Sequence, residues 1–502
     1  MVYANLRDFI IHLEREGRLC RVSTPVSARL EMTEIQTRLL ADNGPAVLFE
    51  NVIRADGTPS DMPVLANLYG TVERVAWGMG RTPTDLRALG EQLAFLRQPE
   101  PPGGWREAME MLPLLKTVMA MKPKTVARAP CQEVVLTGVD IDLKRLPVQI
   151  CWPDEPAPLI TWPLVVTQNN KARPNVGIYR MQVTGPNTTL MRWLAQRGGA
   201  HHANVAADAG EVSIPAAAVI GADPATIIAA VAPVPETMSE YQFAGLLRGK
   251  KVNLVDCKTV PLQVPAEAEI IIEGNVSLVE KGSEGPFGDH TGYYNATEAF
   301  PVFTVSAITM RKDPIYLTTF TGRPPDEPSM LGRALNDVFV PMLIQQFPEI
   351  VDFWLPPEAC SYRVAVVSIR KSYPGHAKRI LMGVWSYLKQ FMYTKFVIVV
   401  DNDINVRSWD DVIWAIATNV DAARDVDIIE NTPIDYLDFA SPVEGLGSKM
   451  GIDATSKMPP ETNREWGRRI RMSDDTIKEV TKKWQEYGLP GQGQSIWKST
   501  DR

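Results

Sequence analysis

Seven strand-like apolar runs follow one another between Ile160 and Gly322: ITWPLVVTQ, NVGIYRMQVTG, EVSIPAAAVIG, KVNLVDCK, AEIIIEGNVSL, PVFTVSAITM and PIYLTTFTG. Turn residues separate them, and two helical patterns, ADPATIIAA and SEYQFAGLLRG, are inserted into the series. So many short strands with so few helices predict a β-rich domain, a barrel or a sandwich, over residues 126–325.

The flanks have a different texture. The first hundred residues alternate: a helix over 6–15, a strand at RLCRVS, a helix over 30–40, strands at AVLFENV and MPVLANLYG, then helices at TVERVAWGMG and TDLRALGEQLAFLRQ. This predicts a small α/β domain that stops at the breaker cluster PEPPGGW. A helical linker, REAMEMLPLLKTVMAMKPK, extends this region to about residue 125. Beyond GRPPDEP the alternation returns, with helices at MLGRALNDVFVPMLIQQF, HAKRILMGVWSYLKQF and SWDDVIWAIATNV and strands at YRVAVVSIR and KFVIVVDNDI. That is βαβ logic and predicts a parallel sheet over 326–460. The polar remainder, 461–502, carries the helical pattern DDTIKEVTKKWQEYG and is expected to form an arm at a subunit interface. The expected class is α/β, multidomain.

A net charge of −7 gives no reason to expect nucleic acid, which usually recruits a basic face. Cys20, Cys131, Cys151, Cys257 and Cys360 lie far apart, form no CxxC pair and read as reduced thiols of a cytoplasmic protein. The N-terminal stretch is amphipathic and lacks the unbroken apolar core of a signal peptide. The most apolar run, 213–233, is broken by Asp223 and Pro224, whereas a membrane span needs about 20 apolar residues in a row.

No GxxxxGK[ST], strand–GxGxxG–helix, HExxH or GxSxG motif is present. The densest cluster of reactive side chains is SEGPFGDHTGYYN, 283–295, with Glu284 and Asp289 on either side of a Gly-Pro-Phe-Gly turn. It reads either as a surface turn with solvated acids or as a turn that projects two acids into one cavity. In NVGIYRMQVTG, read as one strand, Asn175, Gly177 and Tyr179 face one way and Val176, Ile178 and Arg180 the other. Arg180 then either snorkels to the surface or meets a carboxylate such as Glu284. MRWLAQRGG adds Arg192 and Arg197 ahead of two glycines, a weak phosphate-site pattern. Glu240, near a helix start, is either a first-turn acid or a hard oxygen ligand for a divalent metal, with Asn175 as a second oxygen. Adjacent histidines such as His201 and His202 seldom converge on one ion.

Taken in order, LRDF, GPAVLFEN, LAFLRQPEPP, APLITWPL, NVGIYR, MRWLAQRGGA, SEYQFAGLLRG, EGPFGDHTGYYN, FTGRPPDEP, GHAKRILMGVWSYL and ENTPIDYLDFASP resemble the UbiD family of decarboxylases. The resemblance covers nearly the whole chain and is strongest to the ubiquinone-biosynthesis branch. It implies a flavin-binding split β-barrel between two α/β domains, with a C-terminal helix reaching across a dimer and a homohexamer built from dimers. It implies prenylated FMN, supplied by a separate flavin prenyltransferase, with a divalent metal, usually Mn2+, and often a monovalent cation such as K+ or Na+. The implied reaction is non-oxidative decarboxylation of 4-hydroxy-3-polyprenylbenzoate to 2-polyprenylphenol. Another aromatic or α,β-unsaturated acid is the alternative substrate.

Residue by residue, Asn175 and Glu240 match metal ligands that tie the cofactor phosphate to the protein. Ile178, Tyr179 and Arg180, then Arg192, Trp193 and Leu194, then Arg197 and Gly198, match cofactor-contacting positions. Glu284, Arg180 and Asp289 match an acid–arginine–acid network with Asp289 as proton donor, a role expected to need a pKa raised by a dry pocket and by Glu284. His290 has no role in this correspondence. Two features depart from the ferulic acid branch: Asp289 replaces a glutamate, and Gly198 stands where a histidine metal ligand is expected, which leaves His201 and His202 open as ligands. A polyprenyl substrate implies contact with the inner face of the cell membrane. The methionine-rich run 109–124 fits either an interfacial patch or a helix packed between domains.

Overall fold

The computed structural model describes residues 2–97, 117–169, 173–194, 198–234, 238–387, 389–491 and 493–495 of the 502. The chain forms two compact units, Met1–Gln345 with Leu355–Ser361, and Gln346–Trp354 with Tyr362–Arg502. In the first unit, the Asn5 side chain accepts the Asp8 N–H and starts the helix Leu6–Arg15, which buries Leu6, Phe9, Ile10 and Leu13. Leu19–Val22 runs parallel to Ala46–Phe49, which is antiparallel to Val64–Ala66. The fourth strand of this sheet is Tyr316–Leu317, so PIYLTTFTG leaves the β-rich middle and completes the N-terminal sheet instead.

The middle region forms a nine-stranded sheet. From one edge the order is Asn175–Ile178, Leu164–Thr167, Ser213–Ile220, Ile270–Glu284, Glu298–Met310, Thr188–Met191, Met181–Val183 and Leu159–Ile160, with Val134–Thr137 pairing along Glu298–Met310. KVNLVDCK lies outside it: Asn253–Asp256 belongs to a small separate sheet with Gln263–Pro265 and Lys124–Thr125. Two runs that read as single strands are each two. ITWPLVVTQ breaks around Trp162 and Pro163, since proline cannot donate to a ladder. NVGIYRMQVTG breaks at Tyr179 and Arg180, and its halves lie six places apart in the sheet order.

That break fixes the curvature. Six strand spacings in a flat sheet cover about 29 Å at about 4.8 Å each. The chain makes the crossing from Ile178 to Met181 in three residue steps, at most about 11 Å. The sheet therefore curls into a half-barrel, and Tyr179 and Arg180 bridge its seam.

The second unit holds a five-stranded sheet ordered Ile350–Trp354, Val364–Ile369, Phe396–Asp401, Leu446–Ala454 and Val426–Pro433. The middle three are parallel, with the helix His376–Tyr387 in the first crossover. Both outer strands are antiparallel, unlike the all-parallel expectation, because short connections without a crossover helix turn the chain straight back. The helix Asp474–Lys483 lies within the expected C-terminal helical pattern.

No helix among the described residues is long and apolar enough to cross a membrane. Of the run 109–124, residues 109–116 lie outside the described residues. Met119 is 74% exposed and Ala120 is buried.

Candidate active site

The loop 285–297 is the tip of the longest hairpin, whose strands end with Glu284 opposite Glu298. Gly285 opens it at φ 89°, a backbone region that favours glycine. Its two ends are fastened together: Phe287 N–H donates to Asn295 Oδ1 at 3.0 Å, and Asn295 N–H donates to the Phe287 carbonyl at 3.0 Å. From outside, Glu155 Oε1 accepts the Gly288 N–H at 3.3 Å. The Trp152 indole lies against Gly288 and Gly322, where any side chain would overlap it, and donates to the Thr321 carbonyl at 2.9 Å. The loop is thus a braced arch rather than a solvated turn.

Arg180 reaches this arch from the seam. Its Nε donates to Glu284 Oε1 at 2.8 Å and its Nη2 to Glu284 Oε2 at 3.1 Å, a bidentate pair. Nη1 donates to Asp289 Oδ2 at 3.0 Å, and Nη2 also donates to Asn295 Oδ1 at 2.8 Å. Four of the five guanidinium N–H groups are engaged among the described residues, leaving one on Nη1 for a further acceptor. Glu284 is fully buried and takes a second cation, Arg192, whose Nη1 lies 2.7 Å from Oε2. Two guanidinium groups thus hold the Glu284 carboxyl in place.

Asp289 departs from expectation. Burial raises its pKa, but the hydrogen bonds and charge of His290 and the charge of Arg180 outweigh that and hold it well below the usual carboxylate range. Its Oδ1 accepts both the backbone N–H of His290 and the ring Nδ1, each at 2.8 Å. Because an ionised carboxylate only accepts, that Nδ1 carries a hydrogen. The expected raised pKa is corrected here: although the carboxyl is buried, the hydrogen bonds and charges of His290 and Arg180 outweigh desolvation.

The other predicted residues gather on the seam's edge strand and the start of two helices. Ser239 and Gln242 form a capping box that begins the helix Glu240–Arg248. Glu240 accepts the Val176 N–H at 3.2 Å, one residue from Asn175. Burial raises the Glu240 pKa against the opposing pull of its own and the Val176 N–H. No cationic side chain pairs with it among the described residues. Gly198 opens the helix Gly198–Asp208, and a side chain there would overlap the Asn175 amide oxygen. Tyr179 Oη receives the Gly199 N–H at 3.0 Å and the Asn175 amide at 3.4 Å. The Trp193 indole stands edge-on to Tyr179, and its buried N–H has no hydrogen-bond partner among the described residues. Ile178 ends the edge strand and Leu194 is half-buried. Arg197 lies outside the described residues. His202 Nδ1 meets Thr167 Oγ1 at 3.0 Å, while His201 is exposed. Among the described residues no three His, Cys, Asp or Glu side chains converge as a metal cluster.

Family models described as the N-terminal, Rift-related and C-terminal domains of 3-octaprenyl-4-hydroxybenzoate carboxy-lyase match residues 10–93, 124–324 and 329–454. The UbiD-class enzyme HmfF from Pelotomaculum thermopropionicum, solved with FMN, is 30% identical over 95% of this chain and 99% of its own, with a TM-score of 0.78. The chain belongs to the UbiD family. It is therefore an enzyme of the carboxy-lyase class. The closed form of vanillic acid decarboxylase from Sedimentibacter hydroxybenzoicus is 28% identical over 98% of this chain and 100% of its own, with a TM-score of 0.82. The 3,4-dihydroxybenzoic acid decarboxylase of Enterobacter cloacae, 22% identical over 96% and 100%, shares the UbiD fold with a TM-score of 0.75.

Sequence reasoning missed four parts of this UbiD site. His290 touches Asp289, Asn295 completes the Arg180 cradle, and Glu155 and Trp152 brace the loop. His290 and Asn295 lie in the same thirteen-residue stretch as the two acids, so their position was the available signal. Nothing local marks Glu155 or Trp152, which act from another segment.

Proposed function

We propose that this chain decarboxylates 4-hydroxy-3-polyprenylbenzoate to 2-polyprenylphenol with prenylated FMN and a divalent metal, Mn2+ or a similar ion. The observation that carries this reading is Arg180 bridging Glu284 and Asp289 in a UbiD chain. The relatives solved with FMN and with its prenylated form, and the family model's name, support the cofactor and the substrate. The residues present fit both groups. A half-buried Glu240 carboxylate, with no cationic partner among the described residues and accepting the backbone N–H of the residue after Asn175, would with the Asn175 oxygen offer hard ligands to a divalent ion. Gly198 and Gly199 let the helix start close against the Asn175 amide and the Trp193 indole, and the Trp193 N–H, without a partner among the described residues, is a donor available to a polar ligand.

When bound, the prenylated flavin supplies the electron sink for loss of CO2 from an aromatic acid. The protein does the rest. Asn175 and Glu240 hold the metal, and Ile178, Tyr179, Arg192, Trp193, Leu194, Arg197 and Gly198 hold the flavin. Arg180 keeps the two acids in place and offers its remaining Nη1 hydrogen to the substrate carboxylate. Asp289 gives a proton to the ring carbon that CO2 leaves. Dimer and hexamer assembly, cofactor supply by a flavin prenyltransferase, a monovalent cation and contact with the membrane's inner face complete this reading.

A second reading has a specific observation in its favour: relatives named for vanillic acid and for HmfF resemble the chain over nearly its full length. Another aromatic acid is then the substrate. Co-expression with a flavin prenyltransferase, followed by CO2 release from a panel of prenylated and unprenylated hydroxybenzoates, separates the two. Turnover confined to unprenylated acids overturns the first. In the same preparation, Asp289→Asn is expected to retain flavin absorbance and metal while lowering CO2 release by about 100-fold or more. Full turnover by that variant removes the donor assignment.

A further inference from the structure

Asp289 meets the two ends of one problem. A proton donor has to carry a proton, yet every contact on this carboxylate favours its ionised form: two N–H groups of His290 on Oδ1 and Arg180 on Oδ2. The proton must therefore arrive from a neighbour at some point in each cycle. Three groups among the described residues donate hydrogen bonds to the Asp289 carboxylate. A backbone amide does not ionise in this range, and a guanidinium keeps its proton. The remaining one is the His290 ring, whose Nδ1 lies 2.8 Å from Oδ1.

We propose that His290 is the proton relay that recharges Asp289, acting through it rather than on the substrate. This rests on the reading of Asp289 as donor. In each cycle Asp289 loses its proton to the ring carbon that CO2 has left and becomes a carboxylate. The His290 imidazolium passes its Nδ1 proton to Oδ1 and becomes neutral. The neutral ring, left with its hydrogen on Nε2, recovers a solvent proton at Nδ1 once Asp289 has given its own proton up, which its partial exposure allows. The sum is one carboxylate and one solvent proton converted to one C–H bond and one CO2. Charged groups that face the ring include Asp289, with Arg180 behind it, and Asp326, while the Arg323 stem packs on Gly292, two residues along. Asp326 and His290 interact electrostatically: burial pushes the Asp326 carboxyl up to about 6, and the His290 charge acts to lower it. By the same attraction, an ionised Asp326 favours the imidazolium.

The test uses full-length enzyme loaded by co-expression with a flavin prenyltransferase. His290→Gln keeps a hydrogen-bond donor but cannot carry a proton. It is expected to lower kcat by about 100-fold, within the range for a lost acid–base group. KM and flavin absorbance should stay unchanged, and the fall of rate at high pH should disappear. In His290→Ala, added imidazole should restore a measurable part of kcat. Without flavin, carbon-13 NMR of aspartate-labelled His290→Gln should place the Asp289 titration at higher pH than in the parent. A kcat within twofold of the parent overturns the relay, and so does a loss in His290→Ala that imidazole leaves untouched. An unshifted Asp289 titration also overturns it. Asp289→Asn run alongside separates the two claims: an active Asp289→Asn removes donor and relay together, while an inactive one with an active His290→Gln removes the relay alone.

Discussion

Gly198 is the residue where backbone space matters most to the site. Any side chain there would overlap the Asn175 amide oxygen, so the placing of Asn175, the proposed metal ligand, depends on a missing Cβ. Gly198→Ala is expected to lower bound metal, measured by elemental analysis, by roughly 10- to 100-fold in affinity, the usual scale for disturbing a ligand's support. Its melting temperature should move little, since the glycine opens a helix instead of lying inside one. The sequence made Arg180 legible as a cation in need of an acid, because an arginine in an apolar run is costly to bury alone. The opposite pKa of Asp289 was not legible. It depends on a ring one residue away folding back onto Oδ1, a rotamer that no spacing rule specifies.

At the scale of elements, the strand–helix texture predicted most segments, and the failures share a cause. NVGIYRMQVTG keeps period-two alternation through Tyr179 and Arg180, so periodicity has no signal at the point where the ladder stops. The Arg180 side chain is instead tied to acids contributed by a hairpin over a hundred residues later. The hairpin's tip is in turn braced by Trp152. Trp152→Ala removes the ring lying against Gly288 and Gly322 and is expected to cost about 3–5 kcal/mol, read from urea unfolding. CO2 release should fall with it, because Asp289 loses its fixed position. A variant as active as the parent would show that the brace does not orient the acid.

On the scale of the whole molecule, the sequence distinguished a β-rich middle from α/β flanks. It did not show that Tyr316–Leu317 returns to the N-terminal sheet, a pairing between segments roughly 250 residues apart. Near that return, Glu327 is buried, accepting the Tyr69 N–H and the Thr319 hydroxyl, both at 2.6 Å. Burial pushes its carboxyl up to about 7, against those hydrogen bonds and the Arg74 charge. An acid whose folded pKa is raised binds more protons folded than unfolded, so its contribution is greatest at low pH and fades as pH climbs through 7. The melting temperature should therefore fall between pH 5 and 8 more steeply than in Glu327→Gln. Parallel profiles for the two proteins would remove Glu327 as the source.

The two-residue bridge across the barrel seam has a consequence for how this chain can change. One extra residue after Ile178 would slip the register of both flanking strands and turn their side chains to the wrong faces. Such an insertion should abolish soluble protein, whereas one beside Tyr293 should leave protein soluble but lower CO2 release, because it breaks the hydrogen bond from the Asp289 N–H to the Tyr293 carbonyl. The anchor of the acid pair is thus set by the topology of the sheet, while the aim of the acid it holds is set by the hydrogen bonds that close one loop.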